Sequence, residues 1–339
     1  FGTKIGARVD GAMTVLKIAI VVFVVIVGFF YVKASNFTPF IPPSQPAAAT
    51  TGDGAVSAQM AQPLWQWATG MTPSIYGVPG ILSGAALVFF AFLGFDVVAT
   101  ASEETKNPHK NVPLGIGVGM LLIIVMYMLV AIVTTGMVSY KDLAKQDSPS
   151  LATAFELVGA DWAAKIISFG IVLGLATVIM VLLLGLTRIV FAMSRDGLLP
   201  RGLSKTGKHG TPAVLQIVVG VVVALVAALF DIGVLSDMVN IGTLSAFTLV
   251  AISIPIMRKK RPELPRAFRM PGNPWVPILI ALANFWLMLN LSVLTWIRFL
   301  VWLVIGFAIY FSYGYWHARL GKGDLSETLS DETDRAVNG

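Results

Sequence analysis

Apolar segments of about 20 residues recur along almost the whole chain and constrain its fold more than any other feature. A segment of this length spans the hydrocarbon core of a bilayer as an α-helix, whereas the strands of a membrane barrel alternate over about 10 residues. Only 12% of the 339 residues are charged, against about 25% in soluble domains. The sequence therefore predicts an all-α integral membrane protein with about eight transmembrane helices, at residues 12–32, 81–102, 113–135, 162–187, 212–230, 236–257, 275–294 and 296–316.

The distribution of basic residues predicts the orientation of these helices. If Phe1 is cytoplasmic, 18 of the 24 lysines and arginines lie on the inner side and five on the outer side, with Lys17 inside a span. Because short cytoplasmic loops carry an excess of Lys and Arg, we expect both termini of this chain in the cytoplasm. The same loops account for the net charge of +6 without a nucleic-acid partner.

Lys17 is the basic residue that this pattern leaves within the membrane. A charged side chain at the centre of a bilayer costs about 2.5 to 3.5 kcal/mol on insertion scales, so an intramembrane lysine is a functional candidate. The alternative is that its stem extends toward the inner interface and the residue has no further role. If Lys17 faces a dry interior, loss of solvation would lower its pKa and allow proton exchange near neutrality.

A second feature is the interruption of an apolar helix at Gly94, Phe95 and Asp96. Broken helices expose main-chain groups that lipid cannot satisfy, so they occur where they are buried in protein or line a cavity. The carbonyls of residues 90–93 are then candidate ligands for an ammonium group, with Phe95 as a cover. The alternative is a glycine kink between packed aromatic residues, and for Asp96 we favour a cap on the second half-helix.

Other polar residues have structural alternatives of similar weight. Glu103 and Glu104 lie at the predicted inner mouth, where they are either gating charges or part of a solvated helix end. The Arg195–Gly197 turn either forms ion pairs with these glutamates or is a simple loop. Asn240, at the start of a span, and the glycine pairs Gly115/Gly119 and Gly170/Gly174 favour helix packing. The chain has no cysteine and three widely spaced histidines, which indicates neither a metal site nor an enzyme.

Four strings together resemble the cationic amino acid transporter branch of the amino acid, polyamine and organocation superfamily. They are FFAFLGFDVVATASEETKNPHKNVPLGI, TRIVFAMSRDGLLP, NIGTLSAF and RPELPRAFRMP. The resemblance implies the inverted-repeat fold of leucine transporters, with the helices of this chain resembling the fifth to the twelfth. It implies a proton-coupled L-amino acid permease of the plasma membrane, without a cofactor.

The resemblance also implies a division of the chain and a site. The divisions are a first helix (1–33), an outer loop (34–80), a five-helix second repeat (81–257) whose broken helix is 81–104, a basic cytoplasmic loop (258–274), a helix pair (275–317) and a cytoplasmic tail (318–339). Phe90, Ala91 and Leu93 match the carbonyl donors for the substrate ammonium, Phe95 the aromatic gate, Lys17 the proton-coupling lysine and Leu182 a residue that limits side-chain room. A leucine at position 182 favours smaller neutral amino acids.

No counterpart of the family's first helix, which holds the substrate carboxylate, precedes Phe1. We therefore expect the chain to be a fragment that depends on upstream helices of the same protein. A membrane sensor or structural subunit with the same fold is the alternative to a transporter. A channel is disfavoured because the spans are apolar nearly all round.

Overall fold

The computed structural model describes residues 3–46, 59–71, 74–95, 105, 107–146, 149–200, 202, 213–263, 270 and 272–318. Its helices and strands are α1 (Thr3–Phe29), β1 (Gln45–Pro46), α2 (Leu64–Thr69), β2 (Ser74–Ile75), α3 (Gly77–Val88), α4 (Pro108–Met137), α5 (Tyr140–Leu143), α6 (Leu151–Leu157), α7 (Asp161–Arg195), α8 (Ala213–Leu229), α9 (Ile232–Lys260), α10 (Trp275–Leu289), α11 (Val293–Ile309) and α12 (Tyr315–His317). Short 3₁₀ segments occupy Ala34–Phe37 and Phe89–Phe92, and a π-helical turn occupies Tyr310–Gly314.

Each apolar segment predicted from the sequence contains a helix. Among the described residues, five helices are long and apolar enough to cross a membrane: Gly11–Phe29, Lys110–Met137, Asp161–Arg195, Ile232–Lys260 and Val293–His317. Shorter apolar helices lie at Gly77–Phe92, Val214–Leu229 and Trp275–Leu289. At 1.5 Å per residue a 15-residue helix covers about 23 Å, less than the roughly 30 Å of hydrocarbon. The structure confirms an all-α membrane protein.

The chain forms two compact units. Unit 1 comprises Phe1–Pro43 and Gly94–Leu182, and unit 2 comprises Ser44–Leu93 and Leu183–Gly339. The boundary therefore crosses α7 between Leu182 and Leu183, and it follows Leu93 at the interruption of the third helix.

Unit 1 has its core where α1 meets α4, α6 and the first half of α7. Val24, Val133, Met137 and Phe155 are buried there. Gly28 of α1 makes the approach possible, since a Cβ built on it would overlap the side chains of Val133 and Met137. Small residues at helix contacts let backbones come close, which is how helices associate in a bilayer.

Of the two glycine pairs, only one packs within the described part of the chain. A Cβ on Gly170 would overlap Ile20 of α1, and one on Gly174 would lie 3.9 Å from the Lys17 side chain. In contrast, no atom of the described residues lies within 4 Å of a Cβ built on Gly115 or Gly119. The packing prediction thus holds for α7 and finds no partner at α4 in the described residues.

Unit 2 has its core where α9 meets α10, α11 and α3. The buried residues are Ala86 of α3, Ile241 and Leu244 of α9, Met288 of α10, and Leu291 in the turn before α11. The two C-terminal helices are joined by a short turn, Asn290 to Ser292, named the hairpin turn from here on. Ser292 begins α11 as an N-cap, because its hydroxyl accepts a hydrogen bond from the Thr295 amide at 3.2 Å.

The segment between the first two spans contains more structure than the predicted loop. Two short strands within it, β1 and β2, pair antiparallel. Helix α2 docks on the hairpin turn of unit 2, where the Leu64 amide donates to the Leu291 carbonyl at 3.0 Å and the Val293 amide donates to the Gln62 carbonyl at 3.1 Å. The Trp65 indole also donates to Asn290 Oδ1 at 2.9 Å. These long-range contacts fix the position of α2 within unit 2.

Candidate functional site

The predicted interruption of the second apolar segment is present and begins before Gly94. Helix α3 ends at Val88, a 3₁₀ turn follows over Phe89–Phe92, and Leu93 is extended with φ −66° and ψ 144°. Gly94 has φ +119°, a backbone conformation that side chains rarely adopt. The glycine therefore permits the break, and the change of pitch precedes it by one turn.

The three residues predicted to bind an ammonium group lie together in this break, at the edge of unit 2. The Leu93 amide donates to the Phe90 carbonyl at 3.2 Å, which closes the 3₁₀ turn and leaves that oxygen one further lone pair. The Phe90 side chain is 44% exposed and Ala91 is exposed as well. Main-chain oxygens on an open turn are suitable ligands for an organic cation.

Helix α9 holds the other side of the turn. The Asn240 amide donates from Nδ2 to the Ala86 carbonyl at 3.2 Å and to the Leu87 carbonyl at 3.3 Å. Seven residues further along α9, the Phe247 ring meets the Phe89 ring edge to face, with centroids 6.2 Å apart. The structure thus confirms that Asn240 acts in helix packing and adds its partners, which the sequence did not indicate.

Lys17 lies in unit 1, near the middle of α1. It follows the start of the apolar span at Gly11 by six residues, or about 9 Å along the helix axis. Its stem crosses Gly174 of α7, and one turn further the buried Thr177 hydroxyl donates to the Gly174 carbonyl at 2.8 Å. In the described part of the chain, no carboxylate forms an ion pair with Lys17. The lysine is therefore placed at a helix contact.

The remaining predicted residues are distributed over unit 1. Phe95 is half-buried directly after the break, and Leu182 is 45% exposed at the end of the unit 1 portion of α7. Asp96, Glu103 and Glu104 lie outside the described residues, so the cap and the inner-mouth charges stay predictions.

The charged turn after α7 has a partner in unit 2. Arg195 and Asp196 face each other, with Nε and Oδ1 3.4 Å apart, and both are well exposed. Gly197 has φ +83°, and a Cβ on it would overlap the backbone carbonyl of His317. This turn is therefore packed on the C-terminal helix, a contact that the sequence analysis did not propose.

Sequence reasoning also missed a polar group at the hairpin turn of unit 2. Thr295 donates its hydroxyl to Asp237 Oδ2 of α9 at 3.0 Å, and it is fully buried. Gln66 of α2 is 1% exposed, and within the described residues its side-chain amide has no hydrogen-bond partner. The only signal in the sequence was polar residues close to the ends of apolar segments.

Comparison with known proteins identifies the family of the chain that contains this break. The sequence profile of the amino acid permease family matches residues 1–315. The chain belongs to this family. The match confirms the resemblance to the amino acid, polyamine and organocation superfamily.

Relatives of this permease chain include bacterial and plant transporters. It is 41% identical to the branched-chain amino acid permease BcaP of Bacillus subtilis over 322 residues, which are 95% of this chain and 62% of that protein. It is 38% identical to the methylthioribose transporter of the same organism, again over 95% of this chain and 62% of the relative. Identity to the mitochondrial cationic amino acid transporter 3 of Arabidopsis thaliana is 36%, over 76% of this chain and 38% of the relative. The chain thus spans about three fifths of the length of its bacterial relatives.

Proposed function

We propose that the full-length protein is a secondary active amino acid permease that works by alternating access and is coupled to protons. The observation that carries the proposal is the open 3₁₀ turn at Phe89–Phe92, in a chain of the amino acid permease family. The substrate ammonium binds the carbonyls of Phe90, Ala91 and Leu93, and Phe95 covers it. Upstream helices of the same protein supply the groups for the carboxylate.

Lys17 is proposed as the proton-coupling residue. The Lys17 stem lies beside Gly174 of α7, which supports the proposal that a change of its charge alters the packing of α1 on α7. Proton binding and release then bias the outward-open and inward-open states. The basic loops support an orientation with both ends of this chain in the cytoplasm. The membrane is proposed to be the plasma membrane.

Counterflow with the purified full-length protein tests transport itself. Proteoliposomes loaded with unlabelled leucine are expected to accumulate labelled leucine transiently, because a permease exchanges substrate without an energy source. Thermal stabilisation by leucine without counterflow would instead favour the amino acid sensor. The absence of both effects with every amino acid would contradict the proposal.

The substrate is proposed to be a neutral amino acid of moderate size. Leu182 is bulky, and the relatives named as branched-chain amino acid permeases agree with this class. Other relatives are named as cationic amino acid transporters.

Leu182→Ala is expected to widen the substrate range. Removing three carbons from this partly exposed side chain opens room beside the substrate, so inhibition of leucine counterflow by phenylalanine and arginine should strengthen by about 10-fold, the value of one or two methylene groups. The measurement is the concentration of each competitor for half-inhibition. Val178→Ala, one turn earlier on α7, is the control and should leave the order of competitors unchanged. An unchanged order in Leu182→Ala would contradict the role of this residue.

A further inference from the structure

Asn240 is a buried amide in the apolar core of unit 2. Its side chain is 0% exposed, beside Ile241 and Leu244, which are also fully buried. Burying a polar amide among apolar groups costs free energy unless hydrogen bonds compensate. A leucine of similar size would pack equally well at this position. The amide therefore matters for the hydrogen bonds that it forms.

Both N–H donors of this amide are directed to one place, the last turn of α3. They bind the carbonyls of Ala86 and Leu87, where the chain changes from α-helical to 3₁₀ hydrogen bonding at Phe89. At such a junction the regular bond of residue i to residue i+4 is replaced by a bond to i+3, so carbonyls near it lose their ideal partner. The Asn240 amide supplies donors at this junction.

The position of the junction sets the position of the proposed ammonium ligands. Phe90 and Ala91 follow Ala86 and Leu87 by four residues, about one turn. The same face of α9 that carries Asn240 also carries Leu244 and Phe247, at the spacing of one and two turns, and Phe247 holds the Phe89 ring. Carbonyls on this turn can therefore move little while α9 is fixed.

Helix α9 is in turn fixed to the C-terminal hairpin. Asp237, three residues before Asn240, accepts the hydrogen bond of Thr295. Thr295 also contacts the Ser292 hydroxyl at 2.7 Å in the turn on which α2 docks. Helix α9 is thus hydrogen-bonded to the hairpin turn at Asp237 and, one turn further along, to the carbonyls before the break at Asn240.

We propose that Asn240 is a positioning residue for the substrate: its side-chain amide fixes the end of α3, so that the carbonyls of Phe90, Ala91 and Leu93 converge on the ammonium group. This inference rests on the proposed function. The inference extends the proposed function by assigning part of the substrate affinity to a residue that does not touch the substrate.

The test is leucine binding and counterflow by the full-length protein carrying Asn240→Leu, which keeps the size of the side chain and removes both donors. The half-saturating leucine concentration is expected to rise about 10-fold, the effect of losing one to two buried hydrogen bonds, while the maximal rate stays within about threefold. Because the loss concerns the ammonium ligands, the preference for leucine over its 2-hydroxy acid analogue should fall by a similar factor.

Two further variants complete the experiment. Asn240→Ser keeps one donor, should give an intermediate loss of affinity, and replaces the leucine variant if that variant fails to fold. Thr248→Val is the matched control, since the Thr248 hydroxyl donates to the Leu244 carbonyl of its own helix at 2.7 Å. It should change neither the half-saturating leucine concentration nor the maximal rate.

The results separate the inference from the proposed function. Affinity within twofold of wild type in Asn240→Leu, or an equal weakening of leucine and its hydroxy analogue, would overturn the role of Asn240 and leave the permease intact. A wild-type protein that neither binds nor exchanges amino acids would overturn both.

Discussion

Replacing Lys17 by alanine is expected to abolish the stimulation of leucine uptake by an inward proton gradient, while counterflow persists. A gradient of one pH unit is worth about 1.4 kcal/mol per proton, so coupling to one proton supports up to about 10-fold accumulation. Without a titrating group between α1 and α7, leucine should only equilibrate. The measurement is the steady-state ratio of internal to external leucine in proteoliposomes of the full-length protein, with and without the gradient.

Lys17→Arg decides between proton coupling and a lysine that merely reaches the interface. Arginine keeps a positive charge on a long stem but does not release its proton in proteins. We therefore expect Lys17→Arg to lose accumulation as alanine does, whereas a lysine with only a snorkelling role would be replaced by arginine without loss. Lys33→Ala removes an exposed lysine just beyond the other end of α1 and should accumulate leucine normally. Accumulation by Lys17→Ala at the wild-type level would contradict the coupling role.

Gly94→Ala is expected to weaken leucine binding about 5- to 150-fold. No atom of the described residues lies within 4 Å of a Cβ at this position, so the effect comes from the backbone: at φ +119° a side chain costs about 1 to 3 kcal/mol, and the chain relieves this by abandoning the break. The carbonyls of Phe90, Ala91 and Leu93 would then lose their arrangement. Half-saturation of counterflow measures the change.

Gly84→Ala is the matched control for this variant. Gly84 lies inside α3 without a positive φ, and in the described part of the chain no atom lies within 4 Å of its Cβ position. Alanine should leave affinity unchanged and favour the helix by up to about 1 kcal/mol. Equal affinity in Gly94→Ala and Gly84→Ala would show that binding does not depend on the geometry of the break.

The apolar segments predicted the helices, because a long membrane helix can be recognised from the apolar residues that it contains. Helix ends were less predictable: α1 begins at Thr3, nine residues before the predicted span, since a helix continues beyond the hydrocarbon without further apolar residues. The break was located from Gly94, but the 3₁₀ turn that precedes it has no signature in the letters FFAF.

Contacts between distant segments could not be predicted, because no local pattern encodes them. Nothing in the sequence indicates that Asn240 binds the carbonyl of Ala86, 154 residues earlier, or that Trp65 binds Asn290, 225 residues later. The same holds for Lys17 and Gly174, where the pattern suggested a functional lysine and a packing glycine separately. Single residues could thus be selected by chemistry, whereas their partners required the fold.

Binding of the substrate amino group by the broken helix is best tested by a structure of the full-length protein with bound leucine. We expect the leucine nitrogen within about 2.7 to 3.2 Å of at least two of the carbonyl oxygens of Phe90, Ala91 and Leu93. Leucine bound with its amino group away from these three oxygens would contradict this role of the break.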